Sequence, residues 1–394
     1  MLGVRCYVTS TKEEVTQTMV AHMTKAKRHQ ILMVLAAVTL VSGAIAWASG
    51  AARPGSAAAA QSGFKIAYAN SEIGNTFHQA LVSAVQATEK VALKSGLVSK
   101  FTLTDANNSP TTQAAQIRQD VVAGYNAIIV DASSATALNG AIQTACSHGI
   151  IVVAVNENVT APCAYNVSPH WPDDTKVQME YFAQRFHGHA NILNVRGVAG
   201  TLPDTQMGVT GVNDVTKQSP GLKIVGSVYG QWTQTIAEQV TSTILPSLPT
   251  VNAVVTQGGD GVGVYNAFKA AGRPIPQIVF GNRGDELRLW QSILKTDPGY
   301  DSFSISTWPG GISSFGIWAT VALLKKVVDI KPSYIYFPLS EITTGTLAAW
   351  IKVTPPSGVA TRSFTYAAAV AVLKKEPNIP IVATAGPTGP ISGL

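Results

Sequence analysis

From Phe64 onward, short apolar runs alternate with amphipathic segments of helical length, and this alternation restricts the possible folds more than any other feature of the chain. Runs rich in β-branched residues, such as Ile150–Val155, suit strands that are buried on both faces. Strands that alternate with helices predict βαβ units and a parallel sheet. In the first half, the predicted strands are Lys65–Ala69, Phe101–Thr104, Ala127–Val130 and Ile150–Val155, with helices near Phe77–Lys94, Thr111–Ala123 and Ala135–His148.

The same alternation resumes after an interruption at Val167–Asp173, which contains Pro169 and Pro172. A long series of evenly spaced units would also suit a (β/α)8 barrel. The interruption between two similar halves instead favours two doubly wound α/β domains. Beyond it, the predicted strands are Asn191–Val195, Lys223–Val228, Ala253–Thr256, Gln277–Phe280 and Ser302–Ser306, with helices near Asp204–Lys217, Thr233–Leu245, Gly261–Ala271, Gly311–Val328 and Tyr366–Lys375.

The N-terminus has the layout of a secretory signal peptide. A basic patch at Lys25–Arg28 precedes the apolar run Ile31–Ala48, and small residues follow, including Ala58–Ala60. The run is also long enough for a retained membrane anchor, which stays the alternative. No cysteine lies between Ile31 and Phe64 to accept a lipid. We therefore expect residues 1–60 to be a cleaved leader, with Met23 a sensible true start, and the mature protein to be free in the periplasm.

Most of the net charge of +6 belongs to this leader. The chain has 28 Lys and Arg against 22 Asp and Glu, and residues 1–60 contain six and two of them. Residues 61–394 therefore hold 22 basic and 20 acidic side chains. So small an excess predicts no nucleic-acid surface.

Two cysteines lie beyond the leader, Cys146 and Cys163, with 16 residues between them. In an oxidising compartment such a pair predicts a disulfide. Closing this short loop would stabilise the fold by roughly 3 kcal/mol in the chain-entropy model. Two buried free thiols are the alternative.

Polar and aromatic side chains follow the predicted strands, where ligands bind in open α/β sheets. Carboxylates and amides can pair with hydroxyl groups, and aromatic rings offer flat faces to the C–H side of a sugar or polyol. A purely structural role is the alternative for several of these residues, since Phe77 and Trp232 could be core aromatics, Asp131 a helix cap and Asn156 a turn residue. The candidate ligand-binding set is Asn75, Phe77, His78, Asp131, Asn156, Asp204, Thr205, Trp232, Asp260, Asn282, Arg283 and Thr307.

The motifs of the main enzyme classes are absent from the sequence. It has no metal-ligand spacing, no nucleophile elbow and no Walker motif. The glycines of Gly258–Gly263 lack the Gly-x-Gly-x-x-Gly spacing of a dinucleotide-binding loop, and they follow a late unit rather than the first. We therefore predict a binding protein that performs no catalysis and needs no cofactor or metal.

Several segments, in order and spacing, resemble the ribose-type periplasmic sugar-binding proteins. Lys65–His78 resembles the first strand of that family and the turn whose aromatic side chains sandwich the sugar. The likeness covers roughly Phe64 to Val328. It continues through Ala127–Asp131, Gly149–Asn156, Gly197–Thr201, Val251–Val255 and Ile278–Asn282.

The resemblance implies the type I periplasmic binding fold, with two doubly wound parallel-sheet domains that close by hinge motion. Crossings are expected near Ser168, Thr307 and Phe337. The expected domains are residues 61–168 with 308–337 and residues 169–307 with 338–380, followed by a flexible tail at 381–394. Such a protein would be a monomer that delivers a sugar or polyol to an ABC permease in the inner membrane. A sensing protein for a chemoreceptor or kinase and a non-sugar ligand are the alternatives.

The family pattern also gives roles by position, and this chain departs from it. Trp232 falls where the family places a stacking aromatic, and Asn282 where an Asp usually accepts sugar hydroxyls. Thr205 stands in place of the family's usual Arg, and Gly258–Gly259 replaces an Asn-Asp pair. We expect Arg283 to supply the missing positive charge. These departures argue against simple ribose specificity and leave pentoses, hexoses and linear polyols open.

Overall fold

The first of two lobes is built from strands that alternate with helices, as the hydrophobic pattern predicts. The structure, a computed structural model, describes residues 63–375, 379 and 381–388. The elements that open this lobe are β1 (Phe64–Asn70), α1 (Thr76–Lys94), β2 (Val98–Asp105), α2 (Pro110–Val122), β3 (Ala127–Val130), α3 (Asn139–Ser147), β4 (Ile151–Val155) and β5 (Tyr165–Ser168).

The first helices begin at caps that the sequence supplies. Asn75 precedes α1, and its side-chain oxygen accepts a hydrogen bond from the His78 amide at 2.9 Å. Ser109 caps α2 in the same way, and Pro110 occupies the first helical turn, where a missing N–H costs nothing. These local signals fix where each helix leaves the carboxyl end of the preceding strand.

The second lobe repeats this alternating order. One long helix after its first strand is interrupted by a π-helical turn at Gln206–Gly211, which separates α5 from α6. The elements are α4 (Pro172–Arg185), β6 (Ala190–Arg196), α5 (Leu202–Thr205), α6 (Val212–Gln218), β7 (Leu222–Tyr229), α7 (Gln234–Ile244), β8 (Ala253–Val255), α8 (Gly261–Ala270), β9 (Gln277–Ile278), α9 (Gly284–Thr296) and β10 (Ser304–Ser306).

The chain then returns to the first lobe and passes back again. Helix α10 (Pro309–Leu324) is buried from its start through Leu323, and β11 (Tyr334–Tyr336) joins the edge of the first sheet beside β5. Strand β12 (Leu339–Ile342) and helix α11 (Thr344–Val353) belong to the second lobe. Three of the chain's passages between the lobes therefore follow the ends of β5, β10 and β11, next to the expected crossings at Ser168, Thr307 and Phe337.

Each lobe is organised around one sheet. The first sheet has six parallel strands in the order β11-β5-β4-β3-β1-β2. The second has a parallel part, β7-β6-β8-β9, and a three-stranded part in which β12 lies antiparallel to β10. A bridge between Phe280 and Ser304 links these two parts. The predicted α/β class with doubly wound parallel sheets is confirmed.

The C-terminal segment corrects the expected domain division. Helix α12 (Tyr366–Leu373) lies in the first-lobe core with α10, so assigning residues 338–380 to the second lobe is wrong for this helix. Strand β13 (Val382–Thr384) pairs with β12, so the expected flexible tail at 381–394 is wrong for these residues. A three-residue strand is too short to show an alternating pattern, and the apolar helix alone does not reveal which lobe it covers.

Apolar layers cover both faces of each sheet. In the first lobe, α1, α10 and α12 pack on one face, and α2 and α3 pack on the other. In the second lobe, one layer includes α7, α8, α9 and α11, and the opposite layer includes α4 and α6. Burial of the central strands on both faces explains their nearly continuous β-branched sequence.

Cys146 and Cys163 form a disulfide with a Cα–Cα distance of 6.3 Å, which confirms the predicted pairing. The expected leader, residues 1–60, lies outside the described residues. Within residues 63–375 and 381–388, no helix is long and apolar enough to span a bilayer. The same part of the chain contains no group of His, Cys, Asp and Glu arranged to hold a metal ion.

Candidate functional site

The carboxyl ends of the parallel strands in both lobes face the passages between the lobes. Strand β5 ends at Ser168 and β10 ends at Ser306, and the chain crosses directly after each. Because parallel strands end at the same edge of a sheet, the side chains that follow the other strands face the cleft between the lobes. The candidate site therefore has a first-lobe half and a second-lobe half.

Asp131, after β3, is at the centre of the first-lobe half. Its side chain is fully buried, and Oδ1 accepts a hydrogen bond from Asn156 Nδ2 at 3.2 Å. Its Oδ2 has no hydrogen-bond partner among the described residues, with His78 Nε2 3.9 Å away. Burial raises the pKa of Asp131 to about 6, against the opposing effect of His78. The carboxyl group thus presents one unsatisfied oxygen in a dehydrated setting.

His78 lies between two carboxyl groups. Its Nδ1 is 3.3 Å from Glu72 Oε1, and its Nε2 faces Asp131. Asn75 caps the helix and donates from Nδ2 to Glu72 Oε1 at 3.3 Å, which holds the Glu72 side chain beside the imidazole. Phe77 is half-buried and meets the His78 ring edge-on, with the ring centroids 5.9 Å apart.

Asn156 and Glu157 complete this half after β4. Asn156 has a φ of 61°, a left-handed conformation that Asn tolerates better than most residues, and this backbone turns its amide toward Asp131. Burial, followed by the nearby Asp131 charge, raises the pKa of Glu157 to about 8. The described first-lobe half is therefore acidic, with His78 the basic group in direct reach of its carboxylates.

Asp204 organises the second-lobe half. Its fully buried carboxylate accepts hydrogen bonds from Arg196 Nε at 3.2 Å and Nη2 at 2.6 Å. The Gly197 amide and Gln257 Nε2 donate to it as well, each at 3.1 Å. A bidentate arginine and two further donors leave this carboxylate satisfied by the protein itself. The charge that balances Asp204 comes from Arg196.

The Trp232 side chain contacts residues that follow two neighbouring strands, Gly197 after β6 and Gln257 after β8. Its Nε1 donates to Gln257 Oε1 at 3.2 Å, and its ring packs so closely on Gly197 that a Cβ there would lie 2.2 Å from Cε2. The backbone carbonyl of Trp232 accepts from Arg283 Nη2 at 2.8 Å. The side chain is half-buried, so the indole is fixed without being enclosed.

Asp260 and Glu286 are a second pair of buried acids. Both carboxyl oxygens of Asp260 are without a hydrogen-bond partner in the part of the chain that is described, although the residue is fully buried. Glu286 instead accepts from the amides of Gly261, at 2.8 Å, and Gly281. Burial and then the Glu286 charge raise the pKa of Asp260 well above its ordinary range, while Arg283 opposes the rise.

Asn282 and Thr307 lie where the chain passes between the lobes. Asn282 Nδ2 donates to the carbonyls of Thr307 at 2.8 Å and Ala360 at 3.2 Å. Both residues are buried, so the Asn282 amide ties two passing segments together. Thr205 is exposed, and its hydroxyl donates to the Thr201 carbonyl within the helix at 3.1 Å.

The structure therefore separates the predicted set into groups. His78 and Asn156 both approach the Asp131 carboxyl group, His78 to 3.9 Å and Asn156 to 3.2 Å. In the second lobe, Arg196 binds Asp204, Gln257 binds Trp232 and Glu286 accepts from the Gly261 amide next to Asp260. Sequence analysis did not include Arg196, Gln257 or Glu286 in the set. Arg196 lies at the end of a strand and Gln257 directly after one, and this position could have identified both as site residues. Glu286 lies within a helix, where no such signal exists. Glu72 was missed because its turn has no regular pattern.

The arrangement is suited to holding a ligand rather than to transforming one. Unsatisfied acceptors on Asp131 and Asp260 can receive hydroxyl donors, and the indole of Trp232 can meet an apolar face. Two lobes with polar clusters at the carboxyl ends of their parallel strands, joined by several passages of the chain, are typical of hinged solute-binding proteins.

Comparison with known proteins agrees with this class. Residues 66–326 match the family described as periplasmic binding protein domain, and the chain belongs to this family. It is therefore a binding protein and not an enzyme, as predicted.

Relatives with described functions include a xylitol-binding protein of Mycolicibacterium smegmatis, which is 28% identical over 59% of this chain and 65% of its own length. The ribose import binding protein RbsB of Haemophilus influenzae is 24% identical over 66% of this chain and 85% of its own. A solved ABC transporter solute-binding protein from Thermobispora bispora is 30% identical, with a TM-score of 0.68, covering 79% of this chain and 95% of that one. The predicted resemblance to ribose-type binding proteins is confirmed.

Proposed function

We propose that the chain binds a neutral sugar or polyol between its lobes. The observation that carries this proposal is a pair of buried carboxyl groups. Oδ2 of Asp131 and both oxygens of Asp260 have no hydrogen-bond partner within the described chain. A buried acceptor without a partner costs free energy, and a ligand rich in hydroxyl groups would satisfy it. The acidic first-lobe half would repel an anionic ligand such as a sugar acid or sugar phosphate.

In this proposal the predicted residues divide by role. His78, Asp131, Asn156 and Asp260 supply polar contacts to the ligand, and Trp232 supplies an apolar face. Asp204 and Asn282 act by holding the second-lobe half and the passages in place, because their side chains are already engaged with the protein, and Thr307 takes part through its backbone carbonyl. The relatives named for xylitol and ribose support a polyhydroxylated ligand.

The proposed mechanism is capture by closure. Ligand bridges the two halves, and the closed form is favoured because the ligand gains contacts there that the open form lacks. The closed monomer then presents its ligand to an ABC permease in the inner membrane. Export through a cleaved signal peptide in residues 1–60 would place the protein in the periplasm, and the disulfide suits that compartment.

A thermal-shift screen of residues 61–394 tests the ligand class. The panel contains xylitol, D-ribose, hexoses, tetritols and inositols, with sugar acids and sugar phosphates as charged controls. We expect at least one neutral member to raise the unfolding temperature in a concentration-dependent manner, since a ligand that binds only the folded state stabilises it. Stabilisation by the charged controls alone would contradict the proposal.

A further inference from the structure

Two consecutive residues beside the second-lobe half have left-handed backbones. Gln231 has a φ of 55° and Trp232 a φ of 53°. Such a conformation is uncommon for non-glycine residues and unusual for one as bulky as tryptophan. It persists only where surrounding contacts enforce it, and such positions cluster at functional sites.

Side-chain and backbone contacts together hold Trp232 in place. Gly197 receives the ring face, and Gln257 Oε1 accepts from the ring nitrogen at 3.2 Å. These two contacts fix the indole. The peptide lies in a turn closed by the Thr233 amide, which donates to the Gly230 carbonyl at 3.0 Å, and the Trp232 carbonyl itself accepts from Arg283 Nη2 at 2.8 Å.

Space for the Arg283 guanidinium is made by a glycine. A Cβ on Gly259 would lie 2.6 Å from Arg283 Nε and 2.8 Å from Cζ, closer than real side chains approach. Gly258 and Gly259 both have a φ of 86°, so this turn depends on glycine in two ways. The buried Asp260 and Glu286 carboxyl groups lie close enough to attract the guanidinium electrostatically.

We propose that Arg283 is a positioning residue, which holds the Trp232 peptide in its left-handed conformation so that the indole remains in place for the ligand. This inference rests on the proposed function and changes the role of Arg283, which the sequence suggested as a direct ligand contact. The glycine pair and Arg283 act as one unit. The absence of a side chain at Gly259 leaves space for the Arg283 guanidinium, which then contacts the Trp232 carbonyl.

The first test observes Trp232 without any ligand. Residues 61–394 are labelled with 5-fluorotryptophan, and the Trp232 resonance is identified as the one missing from Trp232→Phe. Arg283→Gln is expected to shift or broaden this resonance, because the peptide loses its donor. Arg288→Gln is the matched control, since Arg288 also donates to backbone carbonyls, those of Gly284, Ile351 and Thr354, but not to that of Trp232.

The second test is a double-mutant cycle on ligand affinity, measured by calorimetry with xylitol and D-ribose. Arg283→Gln is expected to weaken binding by about tenfold, within the range of coupled neighbours. Trp232→Ala combined with Arg283→Gln should bind no more weakly than Trp232→Ala alone, because the arginine then has nothing to position. Arg283→Lys should recover part of the affinity, since an ammonium group can also donate to the carbonyl.

The outcomes separate the two proposals. An unchanged Trp232 resonance in folded Arg283→Gln, or additive losses in the double mutant, would overturn the positioning role. Thermal unfolding of each variant establishes that it is folded. If the wild-type protein binds neither probe, the proposed function loses support, whereas the Trp232 resonance still decides the role of Arg283.

Discussion

Trp232 and Asp131 contribute different chemistry to the two halves of the candidate site. Asp131 offers a buried oxygen without a donor, and Trp232 offers a flat apolar ring fixed at its edge by Gln257. A hydroxyl group and an adjacent C–H face occur together on sugars and polyols. The pair therefore defines a ligand class through two residues that the sequence had singled out.

Replacing Trp232 by alanine should weaken ligand binding by about 1–3 kcal/mol, in the range of buried aromatic contacts at binding sites. The loss arises because the ligand's apolar face is left exposed to water. Calorimetry with the best ligand of the screen measures it. Trp232→Phe, which keeps a ring but cannot donate to Gln257, should lose less, and an unchanged affinity in the alanine variant would refute the contact.

The sequence could identify only those site residues that lie at or directly after the end of a predicted strand. Asp131 and Asn156 follow predicted strands and meet in the structure. The Arg196 contact with Asp204 could not be predicted, because it depends on how a helix returns to the strand end. Sequence analysis expected Arg283 to supply the positive charge of the family's missing Arg, and the structure shows that its guanidinium donates to the Trp232 carbonyl.

At the scale of elements, the π-helical turn Gln206–Gly211 shapes the second-lobe half. Two of its backbone carbonyls accept hydrogen bonds from side chains of neighbouring elements. Thr175 donates to the Met207 carbonyl and Asn194 donates to the Gly208 carbonyl. Interruptions of this kind are frequent at functional sites. Here the turn brings Gly208 close to Arg196 and Gln257, the two side chains that hold Asp204.

Gly208→Ala should therefore destabilise the protein by about 1–3 kcal/mol, as overpacking does. A Cβ at this position would lie 2.7 Å from both Arg196 Nε and Gln257 Nε2, so the network around Asp204 must shift. Denaturant unfolding measures the loss, and ligand affinity should fall with it. Gly140→Ala is the matched control, because that helical glycine has open space around it and should lose nothing.

The disulfide between Cys146 and Cys163 ties the end of α3 to the segment before β5. Replacing both cysteines by serine should lower the free energy of unfolding by about 3 kcal/mol, since the unfolded chain regains the entropy of the open loop. Denaturant unfolding checks this value. A thiol assay on the unreduced, denatured residues 61–394 should find no free thiol, and two free thiols would contradict the pairing.

Three helices of the structure, α4, α9 and α11, were not predicted from the sequence. Helix α4 starts with Pro172, Asp173 and Asp174, which sequence analysis took as an interruption. Proline and acidic residues are in fact typical of a first helical turn, because proline needs no N–H there and the carboxylates favour the positive end of the helix. Helix α9 has the same acidic start, with Asp285 and Glu286.

At the scale of the whole molecule, buried carboxyl groups make stability depend on pH. The pKa is raised above its ordinary range, mainly by burial, for the carboxyl groups of Asp120, Asp131, Glu157, Asp174, Asp260 and Glu286. The values are about 6 for Asp120 and Asp131, about 7 for Asp174 and Glu286 and about 8 for Glu157, while Asp260 is raised well above its ordinary range.

The folded chain therefore binds more protons than the unfolded chain between about pH 4 and pH 8. Where the folded state holds the extra protons, the free energy of unfolding falls as pH rises. We expect the ligand-free protein to have a higher unfolding temperature near pH 5 than near pH 8. Thermal unfolding across this range measures the trend, and a rise in unfolding temperature toward pH 8 would be inconsistent with it.

The most direct test of the account is a calorimetric titration of wild-type residues 61–394 and Asp131→Asn with the best neutral ligand of the screen. The wild-type protein should bind one ligand per chain. The variant should bind at least about tenfold more weakly while staying folded, because the amide replaces a charged acceptor with a group that accepts less strongly. Equal affinities in the two proteins would contradict the proposed site, and so would a wild-type protein that binds no neutral sugar or polyol.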